Sequence, residues 1–375
     1  MHRSNIFRLA RLPRVAVLAA ALALTSWGAQ AQETVKIGFL GPLSGGDAEQ
    51  GLSARNGFQL AVVQANHGNL PFKIEPLILD DGANPQTGVA AALKLTNESG
   101  VVAATGHWNS SVALATIPVF NRANIPFVVW GAISPKITER NNPMVTRVAP
   151  TLINTNAPLA KWAAAQVGKK IAIISDTTDY GLANVKSFSE SFKSEGGMIV
   201  ATEAAPVGTT DFRATLIKIK ADVPDAIYFG GVVTEAALVR QQMVELGMKQ
   251  PMIGVDGFYD PEFIKIAGPA ADGTISGIVK EEGNPKLIQL TADYNAAKFA
   301  EPMSTYTKNA YDAANIIIAA LKQAGTKDHA AIAKAIRDIQ YDGAMGHISF
   351  DDNGQTKLPV ELELREVKNG AWAIH

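Results

Sequence analysis

No cysteine occurs among the 375 residues, and that absence alone removes several kinds of protein from consideration. Disulfides, thiolate metal sites, a cysteine nucleophile and a lipid carried on an N-terminal cysteine are all excluded. Basic excess is lacking too. The chain carries 34 Lys and Arg against 35 Asp and Glu, whereas nucleic acid or an anionic membrane surface would select a cationic partner. Phosphate-cradling motifs are missing: Gly168-Lys169 has Ala163 where a P-loop needs its first glycine, and Gly38, Gly41, Gly45 and Gly46 do not fit G-x-G-x-x-G. Ser44 has Pro42 where a nucleophile elbow requires glycine. The six histidines include no i, i+4 pair, so neither a metal site nor any cofactor is expected. No local constellation places a base beside a hydroxyl, which argues against an enzyme.

What is present begins with an address. Arg3, Arg8, Arg11 and Arg14 precede an unbroken apolar run from Val15 to Leu24, and Ala29-Gln30-Ala31 is a small-x-small cleavage site. A run of about ten residues is too short to span a bilayer. Residues 1–31 are therefore expected to be a cleaved signal peptide, releasing a soluble protein, not a lipoprotein, into a bacterial periplasm. Without the four leader arginines, 30 basic residues face 35 acidic ones, a formal charge of −5. The remaining chain of about 344 residues exceeds what one hydrophobic core usually serves, so two lobes are expected.

Strand and helix patterns alternate from there on. Val35, Ile37 and Phe39 alternate with Lys36 and Gly38, and Gly41-Pro42-Leu43-Ser44-Gly45-Gly46 breaks the strand. Helices over 51–65 and 85–98 flank a strand over 74–79, with further strands over 101–105, 127–130, 171–175, 226–229 and 252–255. Several are apolar on both faces, as a parallel sheet covered by helices requires. Tyr306, Ala310, Ala313, Ile317 and Leu321 form one helical stripe, which reads as core. Residues 361–367 and 371–374 form a terminal hairpin around Asn369-Gly370. The fold class is α/β, doubly wound and repeated.

Ligands of open α/β sheets bind beyond the carboxyl ends of the strands. Those ends read Gly106-His107-Trp108-Asn109-Ser110-Ser111, Gly131-Ala132-Ile133-Ser134, Asp176-Thr177-Thr178-Asp179-Tyr180-Gly181 and Asp256-Gly257-Phe258-Tyr259. Ser110 suits either of two roles, a helix cap or part of a carboxylate site made with free helix N–H groups. Asp256 suits either a turn or the capture of a cation.

In order along the chain, Phe39-Leu40-Gly41-Pro42-Leu43-Ser44-Gly45, Asp80-Asp81 with Asn84-Pro85, Gly106-His107 with Ser110-Ser111, Tyr180-Gly181, Gly230-Gly231 with Glu235, and Asp256-Gly257 resemble the landmarks of the periplasmic leucine/isoleucine/valine-binding protein family. The resemblance implies a type I periplasmic binding protein, with two Rossmann-like lobes joined by a three-crossover hinge that closes on a ligand. It implies lobe I over 33–149 plus 278–346 and lobe II over 150–277 plus 347–375. It also implies the substrate-binding role of an ABC importer for a small, branched-chain-like amino acid, acting as a monomer with inner-membrane permease subunits.

Carried over by residue, the ligand carboxylate is expected at Ser110 and the backbone of Asn109, Ala132 and Ser134, with Ile133 in the same loop. The ammonium is expected at Asp256 and Gly257, with Tyr180 facing the ligand. Gln50 and Val232 or Val233 stand where the family often has aromatics, while His107, Trp108 and Trp130 add bulk. Ala83 and Asn109 occupy the positions of the family's frequent disulfide, so packing is expected to hold that loop. Alternative readings are an aromatic or other small carboxylate or amide as ligand, a ligand sensor docking on a membrane receptor, and a secreted hydrolase using Ser110.

Overall fold

The structure is a computed structural model and describes residue 1, residues 32–280 and residues 283–375. Residues 2–31, which hold the expected leader, lie outside it. The first sheet contains β1 (Glu33–Gly41), β2 (Phe72–Asp80), β3 (Val101–Thr105), β4 (Phe127–Val129) and β5 (Val145–Arg147), in the order β2-β1-β3-β4-β5. The second contains β6 (Lys170–Asp176), β7 (Met198–Ala205), β8 (Ala226–Gly230), β9 (Met252–Val255) and β10 (Ile275–Val279). A short pair, β11 (Tyr341–Gly343) and β12 (Gly346–Ile348), stands apart. The hairpin of β13 (Leu362–Lys368) and β14 (Ala371–Ile374) then joins the second sheet antiparallel at β10, giving β14-β13-β10-β9-β8-β6-β7.

Each sheet thus repeats one winding order, in which the chain reverses direction between β1 and β3 and again between β6 and β8. Those two reversals open the crevices in which such sheets bind ligands. The pairs β1–β3, β3–β4, β6–β8 and β8–β9 are all parallel, so the carboxyl ends gather on one edge of each sheet.

Around the sheets pack α1 (Ala48–His67), α2 (Pro85–Thr96), α3 (Ser110–Ala123), α4 (Leu152–Gln166), α5 (Asp179–Ser194), α6 (Arg213–Ala221), α7 (Val233–Glu245), α8 (Pro261–Ala267), α9 (Pro285–Ala297), α10 (Thr305–Ala324) and α11 (His329–Asp338). Alternation along the strands decides which helices each face meets. Val35, Ile37, Phe39 and Val128 join a core with Phe58 of α1 and Ile317 of α10. Leu40, Phe127 and Val129 point the other way, into a core with Leu95 of α2 and Phe120 of α3. Side chains alternate with period two along a strand, so a strand apolar at every position must be covered on both faces.

Helix starts follow from capping. Asn84 accepts hydrogen bonds from the Gln86 and Thr87 amides ahead of Pro85, and Ser304 caps Tyr306 at the start of α10. Gly325, in the left-handed region at φ +61°, ends α10.

The chain passes between the sheets after β5, after β10 and after β12. Arg147, fully buried, ties the first of these passages to the third. Its guanidinium donates to the carbonyls of Ala132 (3.2 Å) and Ser134 (2.6 Å), to Thr138 Oγ1 (3.1 Å) and to Gln355 Oε1 (2.7 Å).

Candidate functional site

On the first lobe, α3 begins without the cap its sequence offers. Asn109 is the residue before the helix, yet its side chain makes no capping bond. Residues in the same position before α2, α5 and α9 do cap their helices. The first amides of α3 therefore remain free to meet an anion, with the positive end of the helix dipole behind them.

Ser110 is 1% exposed and its Oγ accepts a hydrogen bond from the Ser134 amide at 3.1 Å. Its own hydroxyl proton remains available. Ser134 Oγ and Asn109 Oδ1 are buried without a partner among the described residues. Ala132 departs from expectation: its amide donates to the carbonyl of His107 at 2.9 Å and is not a free donor for a carboxylate. Ile133 is tied to the first passage between the sheets, because its carbonyl accepts from the Leu152 amide at 3.1 Å.

The loop after β3 is held by more than packing. His107 Nδ1 lies 2.6 Å from Asp81 Oδ2, with both side chains fully buried, so a carboxylate–imidazole bond joins the loop after β2 to the loop before α3. These are the two loops that carry Ala83 and Asn109, so the packing-only expectation for a chain without cysteine is corrected.

The second lobe contributes Asp256 at the carboxyl end of β9. Its Oδ1 is buried and unpartnered, and burial pushes its carboxyl up to about 6. Tyr180 and Tyr306 surround it. Burial, and next the charge of Asp256, holds both phenol protons on well above their ordinary range, so both remain hydrogen-bond donors. Gly257 permits the approach: a Cβ there would run into Tyr180 Oη and the carbonyl of Gly231.

A cavity of about 900 Å³ is walled by Gly131 and Ile133 from the first lobe, Asp256 and Tyr259 from the second, Tyr306 and Asn309 from α10, and residues of the passages between the sheets such as Ala149, Val279 and Leu358. That volume falls within the roughly 300–1,000 Å³ of small-ligand clefts. Of the nine residues expected from sequence, Ile133 and Asp256 line this cavity. Asn109, Ser110, Ala132, Ser134, Tyr180 and Gly257 lie in the loops around it. Gln50 does not line it. Its amide donates to Asp260 of the opposite lobe and joins the two across the cleft. Ser111 does the same, accepting from the Asp179 amide at 2.8 Å, while Lys136 reaches Asp179 Oδ1 at 2.9 Å.

Sequence reading missed Tyr306, Asn309 and Asp47. Tyr306 lies on a regular apolar stripe and packs edge-on against Trp108 at 5.8 Å, so periodicity hides its second face. Asp47 falls in the loop after β1, where nothing in the local pattern marks it. Its carboxyl is raised to about 6 by burial, against a hydrogen bond to Asn109, with Glu235, Asp81 and Asp176 adding repulsion. Carboxylates from both lobes thus lie near enough to Asp47 to disfavour its charge.

Comparison with known proteins agrees with this geometry. The profile of a periplasmic binding protein family matches residues 34–371. The leucine-, isoleucine-, valine-, threonine- and alanine-binding protein of Pseudomonas aeruginosa is 29% identical over 351 residues, covering 92% of this chain and 93% of that one. A branched-chain amino acid transporter substrate-binding protein from Streptococcus pneumoniae, solved with isoleucine, superposes with a TM-score of 0.82 at 27% identity, covering 91% of this chain and 98% of the other. A solute-binding protein of R. palustris in complex with 4-hydroxybenzoate shares the fold, with a TM-score of 0.81 at 24% identity over 92% of this chain and 96% of its own.

Proposed function

From the premise that this chain belongs to the periplasmic binding protein family, we propose that it captures an α-amino acid in its interlobe cleft. As the substrate-binding component of an ABC importer, it then delivers that ligand for transport. One observation carries the ligand assignment: the uncapped helix start on one lobe is joined through Ser111 to the Asp179 amide of the other, next to Tyr180 and the Asp256 carboxyl, whose Oδ1 is unpartnered among the described residues. A zwitterion leaving water loses the hydration of both its charges, and it binds tightly only where each is replaced by a fixed partner.

In this reading the amides of α3 and the Ser110 hydroxyl take the carboxylate. Asp256 takes the ammonium, with Tyr180 and Tyr306 beside it. Ala132 shapes the loop rather than donating to the ligand, and Gln50 clasps the closed lobes. Because the two charges are answered from opposite lobes, only the closed form satisfies both, and that difference in affinity drives closure. The hinge consists of the three chain passages that follow β5, β10 and β12, with lobe I and lobe II on either side. The protein acts in the periplasm as a monomer, released from its leader and without a lipid, and docks on permease subunits.

A non-catalytic role is supported by the setting of Ser110, whose described partner is the Ser134 amide rather than an imidazole nitrogen or a carboxylate. Truncation tests the assignment: Asp256→Ala should cost about 2–5 kcal/mol of amino-acid affinity by isothermal titration. A loss below about tenfold would remove the ammonium role. The raised carboxyl of Asp256 favours a second reading, in which it hydrogen-bonds a hydroxyl of an aromatic monocarboxylate. Binding of simple carboxylates, with no response to amino acids, would establish that one.

A further inference from the structure

We propose that Asn309 reads the ligand's side chain and selects an amino acid bearing an N–H or O–H donor over an apolar one of the same shape. The inference rests on the amino-acid reading above and adds the chemistry of the side chain. Asn309 lies on the wall of the 900 Å³ cavity, one turn after Tyr306 on the same face of α10, and is 6% exposed. Its Nδ2 donates to the carbonyl of Trp130 at 3.0 Å.

That bond decides which way round the amide lies, because the reversed orientation would press two carbonyl oxygens together. Trp130 is itself immobilised. Its ring stacks on Phe39 at 5.9 Å and its indole N–H donates to the carbonyl of Leu40 at 3.2 Å. Asn309 Oδ1 is thereby committed as an acceptor, and it is buried without a partner among the described residues. Asp256 Oδ1 is the second buried, unpartnered acceptor on a residue of this wall. In the amino-acid reading the α-ammonium goes to Asp256, which leaves the side chain to meet Asn309.

A branched aliphatic side chain filling the cavity would cover Asn309 Oδ1 with methyl groups and leave it unsatisfied. A hydroxyl or carboxamide of the same volume satisfies it. Sites built around a buried polar group discriminate strongly against ligands that lack the matching one.

The test titrates ligand-stripped protein with two isosteric pairs, L-threonine against L-valine and L-asparagine against L-leucine, in the wild type and in Asn309→Leu. The expected result is a wild-type preference of about tenfold or more for the donor-bearing member of at least one pair. Asn309→Leu should erase that preference. Valine and leucine binding the wild type at least as tightly as their partners would overturn the role of Asn309, and this comparison needs no variant to fold. A preference surviving in Asn309→Leu, or an equal loss for both members, would overturn it as well. Failure of all four to bind, with or without binding of simple carboxylates, would instead overturn the amino-acid reading beneath it.

Discussion

Asp256 has a charge that the empty protein does little to stabilise. Burial raises its carboxyl to about 6, and its Oδ1 has no partner among the described residues. Two opposite pH dependences follow. Amino-acid binding needs the carboxylate, so affinity should fall by up to about tenfold for each pH unit below 6, and Asp256→Asn should flatten that profile in titration calorimetry. Stability of the empty protein runs the other way. The folded-state value lies above the ordinary 3.8, so the stability this group contributes is complete below about 4 and is lost as pH rises through 6. Asp256→Asn should therefore melt higher than the wild type at pH 8 without ligand, yet show no ligand-induced shift. A lower melting temperature would mean the carboxylate is satisfied internally. Asp47 rises to about 6 from the other lobe, so Asp47→Asn is the control that separates the two carboxyls.

At the scale of elements, the least legible strand holds the cleft loop in place. β5 is three residues long, Val145-Thr146-Arg147, and all three are buried. A short segment ending in arginine carries no strand signal, because its cost of burial is met only by acceptors brought from elsewhere in the chain. Two of those acceptors are the carbonyls of Ala132 and Ser134, in the loop after β4. Arg147→Ala should thus destabilise the fold by about 2–5 kcal/mol in urea titration, since it leaves the buried Ala132 carbonyl without its described partner and removes the bonds to Ser134, Thr138 and Gln355. β7 escaped notice for a related reason: it is an edge strand of half-buried residues with little alternation. The central strands were readable because both their faces are covered, which demands continuous apolar sequence.

At the scale of the molecule, the clasp between lobes is made of a few polar contacts: Gln50 to Asp260, Ser111 to Asp179 and Lys136 to Asp179. Such contacts exist only when the cleft is shut, so they act on the closed population rather than on folding. Gln50→Ala should weaken amino-acid affinity by about three- to tenfold, mainly through faster ligand release in stopped-flow experiments. The melting temperature of the empty protein should not change. A fall in that temperature would show that the clasp stabilises the empty fold too. Lys136 is largely exposed, and an exposed ion pair is worth little, so Lys136→Ala should change affinity less than Gln50→Ala.

Local pattern by itself determined the alternation of strand and helix, the repeated α/β class, the terminal hairpin and the loops in which Ser110, Tyr180 and Asp256 would be found. Each is set by side-chain periodicity and turn chemistry within a few residues, which a chain displays before it folds. Only the tertiary structure decided how those loops are used. It gave the Ala132 amide to the His107 carbonyl, turned Gln50 into a clasp, joined Asp81 to His107, and placed Tyr306 and Asn309 on the wall of the cavity that Asp256 also lines. A hydrogen-bonding group takes whichever partner folding brings within about 3 Å, and for these residues that partner is far away in sequence: Asn309 meets the carbonyl of Trp130, and no window of neighbouring residues records the meeting.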